Sequence, residues 1–202
     1  MAEKPDAPSC ARNREPILRV LQRHFADRRK VLEIGSGTGQ HAVFFAAELP
    51  HLIWQASDRL ENLAGIQAWL DEAALGNTPA ATKFDVGGAW PAGRFDAVFS
   101  ANTLHIMSWP EVGRLFAGLP GVMADDFTLV IYGPFNYDGR YTSESNAAFD
   151  AWLKQGGAQQ GLRDFDAVDA LAAQAGLKLI ADCPMPSNNR CLVWHRAAMS
   201  AA

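Results

Sequence analysis

A mostly parallel α/β sheet of seven strands, with helices on both faces, is the fold class this sequence predicts, and three observations predict it. Strand-length apolar segments alternate with segments of helical period along most of the chain. The first three strand segments carry carboxylates at their ends, Glu33, Asp58 and Asp85. The last two strand segments, 177–181 and 191–195, are joined through Pro184, Met185, Pro186, Ser187, Asn188 and Asn189, a connection too short for a helical crossover, so they pair antiparallel.

Residues 1–11 are rich in Pro and Ala and lack periodicity, which predicts a flexible lead before a single domain over 12–196 and a tail over 197–202. Pro16 stands in the first turn of a helix whose Ile17, Val20, Leu21 and Phe25 share one face. The preceding Arg12, Asn13 and Arg14 are either a solvated helix start or part of a lid. Strand one, Val31, Leu32, Glu33 and Ile34, breaks into Gly35, Ser36, Gly37, Thr38 and Gly39. A helix over 40–49 follows with Phe44, Phe45 and Leu49, and Pro50 stops it. Strand two, 52–57, ends at Asp58, and the helix after it shows the stripe Leu63, Ile66, Leu70 and Ala73. Strand three, 81–84, precedes Asp85 and Val86. Strand four, 95–100, leaves through Ala101, Asn102, Thr103, Leu104, His105 and Ile106. Trp109 and Pro110 open a helix carrying Val112, Leu115, Phe116 and Leu119, and strand five, 127–132, is ended by Gly133 and Pro134. Residues 134–163 then form a polar loop with one short helix containing Phe149, Trp152 and Leu153, an insertion of the kind that serves binding as a lid. Asp164 opens the last helix, with Phe165, Val168, Leu171 and Ala175 inward and Gly176 as its stop.

Composition narrows the function classes. A chain of 202 residues, 49% hydrophobic and 20% charged, suits one soluble globular domain. A net charge of -4 argues against nonspecific nucleic-acid binding. The longest apolar run, 42–47, falls far short of the ~20 residues of a membrane span, and the amino terminus lacks a signal-peptide core, so a cytoplasmic monomer or homodimer is expected. Cys10, Cys183 and Cys191 have neither metal-type spacing nor an even count, which predicts reduced thiols and no metal.

The glycine turn is the centre of the chemistry. A strand leading through glycines into a helix start suits a nucleotide-like ligand at the carboxyl edge of a parallel sheet. The dinucleotide spacing G-x-G-x-x-G needs a small residue at position 40, where Gln40 stands. Asp58 is placed to accept two ribose hydroxyls or to cap the following helix. His105, just past strand four, is expected to face the cleft as a proton acceptor or to be a hydrogen-bonded structural residue; His41 is the second candidate. Tyr132, Phe135, Tyr137, Tyr141, Asn146, Asn188 and Asn189 are expected along the rim, where they either line an acceptor site or pack the insertion.

Glu33 with Gly35, Gly37 and Gly39 resembles motif I of the class I S-adenosylmethionine-dependent methyltransferases, and the strand order with its antiparallel end resembles their Rossmann-like fold. A narrower set is similar to the methyltransferase-like family known as domain of unknown function 938: Arg12 and Asn13, the stretch 33–42, Trp54 with Ser57 and Asp58, Tyr132 through Phe135, Ser145 and Asn146 with Phe149 and Asp150, Arg163 and Asp164, and Met185 and Pro186 with Asn188 and Asn189. Most members of that family carry alanine where Ser36 stands. The resemblance implies S-adenosylmethionine as cofactor and S-adenosylhomocysteine as product, held by Glu33, Gly35, Ser36, Gly37, Gly39, Asp58, Asp85, Val86 and Ala101. Asp85 would accept from the adenine amino group and the Val86 N–H would meet a ring nitrogen. Beside these, His105, Asn102 and Tyr132 are the catalytic candidates, and Arg12, Asn13, Phe135, Asn146 and Asn189 the candidates for a small-molecule acceptor. A nicotinamide-dependent oxidoreductase and a non-catalytic cofactor-binding module are the alternatives.

Overall fold

Side chains that alternate across a strand must find cover on both faces of a parallel sheet, and here each face has its own apolar layer. The computed structural model describes residues 4–198; residues 1–3 of the expected lead and 199–202 of the expected tail lie outside the described residues. Its strands are β1 (Lys30–Ile34), β2 (Ile53–Asp58), β3 (Thr82–Lys83), β4 (Phe95–Ala101), β5 (Met123–Gly133), β6 (Phe135–Asn136), β7 (Arg163–Asp164), β8 (Lys178–Met185) and β9 (Asn189–Arg196). Its α-helices are α1 (Pro8–His24), α2 (Gln40–Glu48), α3 (Leu63–Ala73), α4 (Trp109–Gly118), α5 (Glu144–Gly156) and α6 (Phe165–Gln174).

Seven strands form one sheet in the order β3-β2-β1-β4-β5-β9-β8, with β9 antiparallel to both neighbours and the other six parallel. Along β4, Phe95 and Val98 join the layer of α4 and α6, while Ala97 and Phe99 join the layer of α1, α2 and α3. The chain winds outward from β1 in one direction and from β4 in the other. The crevice beyond the carboxyl ends of these two strands is therefore the topological switch point of the sheet, the place where open α/β sheets bind ligands.

Several boundaries differ from the sequence reading. Helix α1 begins at Pro8, inside the stretch expected to be flexible, and Pro16 lies within it instead of in its first turn. The helix runs through that proline because Asn13, Ile17, Leu18 and Leu21 are buried along the face that packs on the sheet. Strands β8 and β9 extend through Met185 and from Asn189, so the connection is a tight hairpin with Ser187 and Asn188 at φ 59° and 57°. Pro184 is tolerated because β8 is an edge strand. The insertion has its own frame: β6 pairs parallel with β7, clasping its two ends around α5. Among the described residues no helix is long and apolar enough to cross a membrane.

Candidate active site

Glu33 and Ser36 set the shape of the glycine turn. Ser36 Oγ donates to Glu33 Oε2 at 2.9 Å and accepts from the Ser57 N–H at 3.1 Å; Trp54 Nε1 donates to the same carboxylate oxygen at 3.0 Å. Burial, reinforced by the charge of Asp58 and opposed by these two hydrogen bonds, pushes the Glu33 pKa up to about 7. The expected role of Glu33 as a cofactor contact is therefore corrected. Its carboxyl is buried and tied to β2 and the turn, and it does not line the cavity that opens above. Gly39 is corrected likewise. At φ 90° it starts α2 and packs on α3, where a Cβ would come within 3.0 Å of Ile66 Cα.

That cavity, of about 980 Å³, lies at the switch point. Its wall includes Gly35, Ser36, Gly37, Asp58, Asp85, Val86, Ala101 and Asn102, which are eight of the residues expected from sequence. Gly35 lets the loop after β4 close on the turn, because a Cβ there would meet Thr103 Oγ1 at 2.6 Å. Asn102 holds a left-handed φ of 56° while its N–H donates to the Tyr132 carbonyl at 2.9 Å.

The polar groups of the wall have a definite charge preference. The N–H groups of Gly35 and Ser36 both donate to the Ser57 carbonyl, at 3.0 and 3.1 Å, that of Gly39 donates to the Ser36 carbonyl at 2.9 Å, and that of Gly37 donates to Asp58 Oδ2 at 2.7 Å. Four amides of the turn are thus engaged within the protein and are not free for a diphosphate, as the bare glycine pattern allowed. Asp58, Glu61, Asp85 and Glu111 line the cavity against one guanidinium, that of Arg59, among the described residues. Arg59 is engaged with Glu111 at 3.1 Å and Asp85 at 3.5 Å. Asp58 Oδ1 accepts from the Arg59 N–H at 2.7 Å and from Asn62 Nδ2 at 2.9 Å, and Asp85 Oδ1 from the Gly87 N–H at 2.8 Å.

One wall escaped the sequence reading. Residues 4–7 form a strap across α2 and α3 that leads into the first turn of α1, and Pro5, Ala7, Ser9 and Cys10 line the cavity. Gln40 is its clasp: Oε1 accepts from the Ala7 N–H at 2.7 Å and from Thr38 Oγ1 at 2.9 Å, while Nε2 donates to Asp6 Oδ1 at 2.8 Å. Trp69 Nε1 donates to the Pro5 carbonyl at 2.8 Å, and Lys4 pairs with Glu72 at 2.5 Å. Gln40 was legible only as a residue that breaks the dinucleotide pattern. Gln40→Ala is expected to speed amide exchange across 4–9 with little change in melting temperature, because it removes three hydrogen bonds at the edge of the fold. Unaltered exchange in that segment would refute the clasp.

The residues expected on the acceptor side are not gathered at the cavity wall. His105 is corrected from facing the cleft: it is buried beneath the insertion, its ring edge-on to Phe149 at 5.3 Å, and burial with the charge of Arg163 pushes its pKa down to about 4. Phe135 is part of the apolar layer under α6, and Tyr137 and Tyr141 bond to Asp182 and Asp150. Asn146 Nδ2 donates to Thr142 Oγ1 at 2.9 Å and to the Asn188 carbonyl at 3.2 Å, so it joins the insertion to the hairpin. Of the insertion, only Gln160 lines the cavity. Tyr132 is buried beside Asn13, Asn189 and Arg12, one layer behind the wall. Arg163 fixes the loop after β4, donating to the carbonyls of Leu104 at 3.0 Å, of Met107, and of Gln159 at 3.1 Å.

A family model described as "Protein of unknown function (DUF938)" matches residues 4–196. The chain belongs to the DUF938 family. The match begins at Lys4 and so takes in the strap as well as the sheet. Among solved structures, this DUF938 chain is similar to an O-methyltransferase family protein from Burkholderia thailandensis, with a TM-score of 0.80 and 18% identity over 91% of this chain and 56% of that one. It is similar also to the mitomycin 7-O-methyltransferase MmcR (TM-score 0.75, 20% identity, 86% and 50% of the two chains). A third is an O-methyltransferase family 2 protein from Planctomyces limnophilus solved with apigenin (TM-score 0.73, 15% identity, 91% and 62%). The DUF938 chain therefore spans little more than half the length of such neighbours, and the likeness is one of fold: a class I methyltransferase-type, Rossmann-like sheet.

Proposed function

We propose that this DUF938 protein binds S-adenosylmethionine and transfers its methyl group to a small-molecule acceptor. The observation that carries the reading is the cavity at the switch point, lined by four carboxylates and one already paired arginine, over a glycine turn with four of its amides engaged within the protein. Such a wall repels a dinucleotide's diphosphate and favours a nucleoside bearing a sulfonium and an ammonium. Asp58, at the end of β2, suits the ribose hydroxyls, while Asp85 and the Val86 N–H suit the adenine edge. Gly37 leaves open space where a side chain would project. These residues fit the cofactor.

When bound, S-adenosylmethionine supplies an electrophilic methyl group. The protein's own part is to orient the acceptor in line with it and to exclude water, which in-line displacement needs more than it needs a base. The strap and the loop after β4 wall the site, and a volume at the upper end of small-molecule pockets leaves room for a modest acceptor beside the cofactor. Walls of that kind admit a small molecule better than a folded macromolecule.

Calorimetric titration tests the cofactor reading. Heat from S-adenosylhomocysteine and none from a nicotinamide dinucleotide is the expected result, and the reverse would overturn it. Turnover of labelled S-adenosylmethionine against a panel of small hydroxyl, amine and thiol acceptors then tells an enzyme from a module that only holds the cofactor.

A further inference from the structure

The cavity has two chemically different ends. Beyond β2 and β3 it offers the acids Asp58 and Asp85, whereas beyond β1 and β4 its wall is Cys10, Thr38, His41, Ala101, Asn102 and Thr103, without a charged side chain. A nucleoside whose hydroxyl and amino donors meet the acids extends its other end toward this second wall. In the proposed cofactor that end is an amino acid.

His41 is held there with its proton placed. Its ring stacks on Phe45 at 5.2 Å and meets Phe99 edge-on at 6.3 Å, which fixes the plane. Nε2 lies 2.7 Å from Asn13 Oδ1, and an amide oxygen only accepts, so Nε2 carries the hydrogen and Nδ1 the lone pair. Among the described residues the hydrogen-bond partner of Nδ1 is the Cys10 thiol alone, at 4.0 Å. That is the far limit of a weak contact, so the acceptor at the cavity wall is left for a better donor.

We infer that His41 Nδ1 accepts a hydrogen bond from the ammonium group at the amino-acid end of the cofactor, with Asn13 as the residue that positions the ring. The inference rests on the cofactor reading above. A lone pair refuses a carboxylate and calls for a donor, which an ammonium supplies. Burial and the charge of Arg14 push the His41 pKa down to about 4, so the ring stays neutral beside a cation; the same low basicity makes it a poor base toward an acceptor.

The experiment compares S-adenosylhomocysteine with 5′-methylthioadenosine, which shares the nucleoside and thioether but lacks the amino acid. His41→Gln keeps a nitrogen for Asn13 and removes Nδ1. It is expected to weaken S-adenosylhomocysteine about 10- to 100-fold while 5′-methylthioadenosine binds as in the parent. His41→Asn, whose amide reaches the Nδ1 position, should recover part of the loss. In the unaltered protein, the ¹⁵N resonance of His41 Nδ1 should shift with S-adenosylhomocysteine and stay in place with 5′-methylthioadenosine, a readout that no folding defect can mimic. Equal weakening of both compounds, or an Nδ1 resonance indifferent to S-adenosylhomocysteine, overturns the inference while leaving the cofactor reading standing. An unaltered protein that binds neither compound overturns both.

Discussion

Glu33→Gln is expected to make the protein more stable than the parent above neutral pH and no less able to bind S-adenosylhomocysteine. Glu33 is buried with its Oε2 shared by Trp54 Nε1 and Ser36 Oγ, and burial raises its pKa from 4.5 to about 7. A group whose folded pKa is raised contributes its stability fully below the unfolded value of 4.5 and loses it as pH climbs through about 7, where the buried carboxyl must ionise. That difference is worth about 3 kcal/mol. Glutamine keeps an oxygen for both donors and cannot ionise, so its advantage over the parent should be absent near pH 4 and approach that size by pH 9. Alanine strands both donors and should cost about 2–5 kcal/mol at any pH. Urea unfolding at the two pH values measures this. Parent and glutamine variant differing by a constant at both would show that Glu33 titrates in the fold as it does in the unfolded chain, and a glutamine variant that cannot bind S-adenosylhomocysteine would return Glu33 to the cofactor.

The second large effect is expected at Asp58. Asp58→Ala should weaken S-adenosylhomocysteine by about 1–3 kcal/mol, by removing the acceptor for the ribose hydroxyls. The same carboxylate receives the Gly37 N–H at 2.7 Å, the Arg59 N–H at 2.7 Å and Asn62 Nδ2 at 2.9 Å, so its loss also loosens the turn that carries the cofactor. Asp85→Ala should do less, because Asp85 is half in solvent and, among the described residues, holds only the Gly87 N–H and Arg59. Titrations of the two variants, read beside their melting curves, separate binding from folding. An Asp58→Ala protein that binds like the parent yet melts far lower would make Asp58 a purely structural residue.

What was legible in the sequence came from short-range signals. Seven strands, the helices between them, the glycine turn and the acids of β2 and β3 all follow from periods of 2 and 3.6 residues and from where Gly, Pro and Asp interrupt them. Those signals also set the antiparallel end, since nine residues between strand segments cannot hold a crossover helix. Eight of the expected site residues reached the cavity because strand ends in a parallel sheet share one edge, whatever the loops do.

The misplacements share a different cause. The strap of residues 4–7 has no period of its own and is ordered by Gln40, Trp69 and Glu72, more than thirty positions away. The two-residue strands β6 and β7 are too short to carry any pattern, yet they decide that the insertion folds onto itself and covers His105. Glu33 looks like its counterparts in a cofactor motif, and it is Trp54, brought against it by the pairing of β1 with β2, together with Ser36 of the turn, that holds it inward. His41 passed as a minor candidate until Asn13, on a helix expected to start later, fixed its tautomer. By itself the sequence determined which backbone segments meet at the carboxyl edge, because hydrophobic period and turn chemistry are local and act on neighbours. Which side chains enter the cavity and which are buried behind it was decided by tertiary structure, since burial and hydrogen-bond pairing depend on partners that only the folded chain brings within 3 Å.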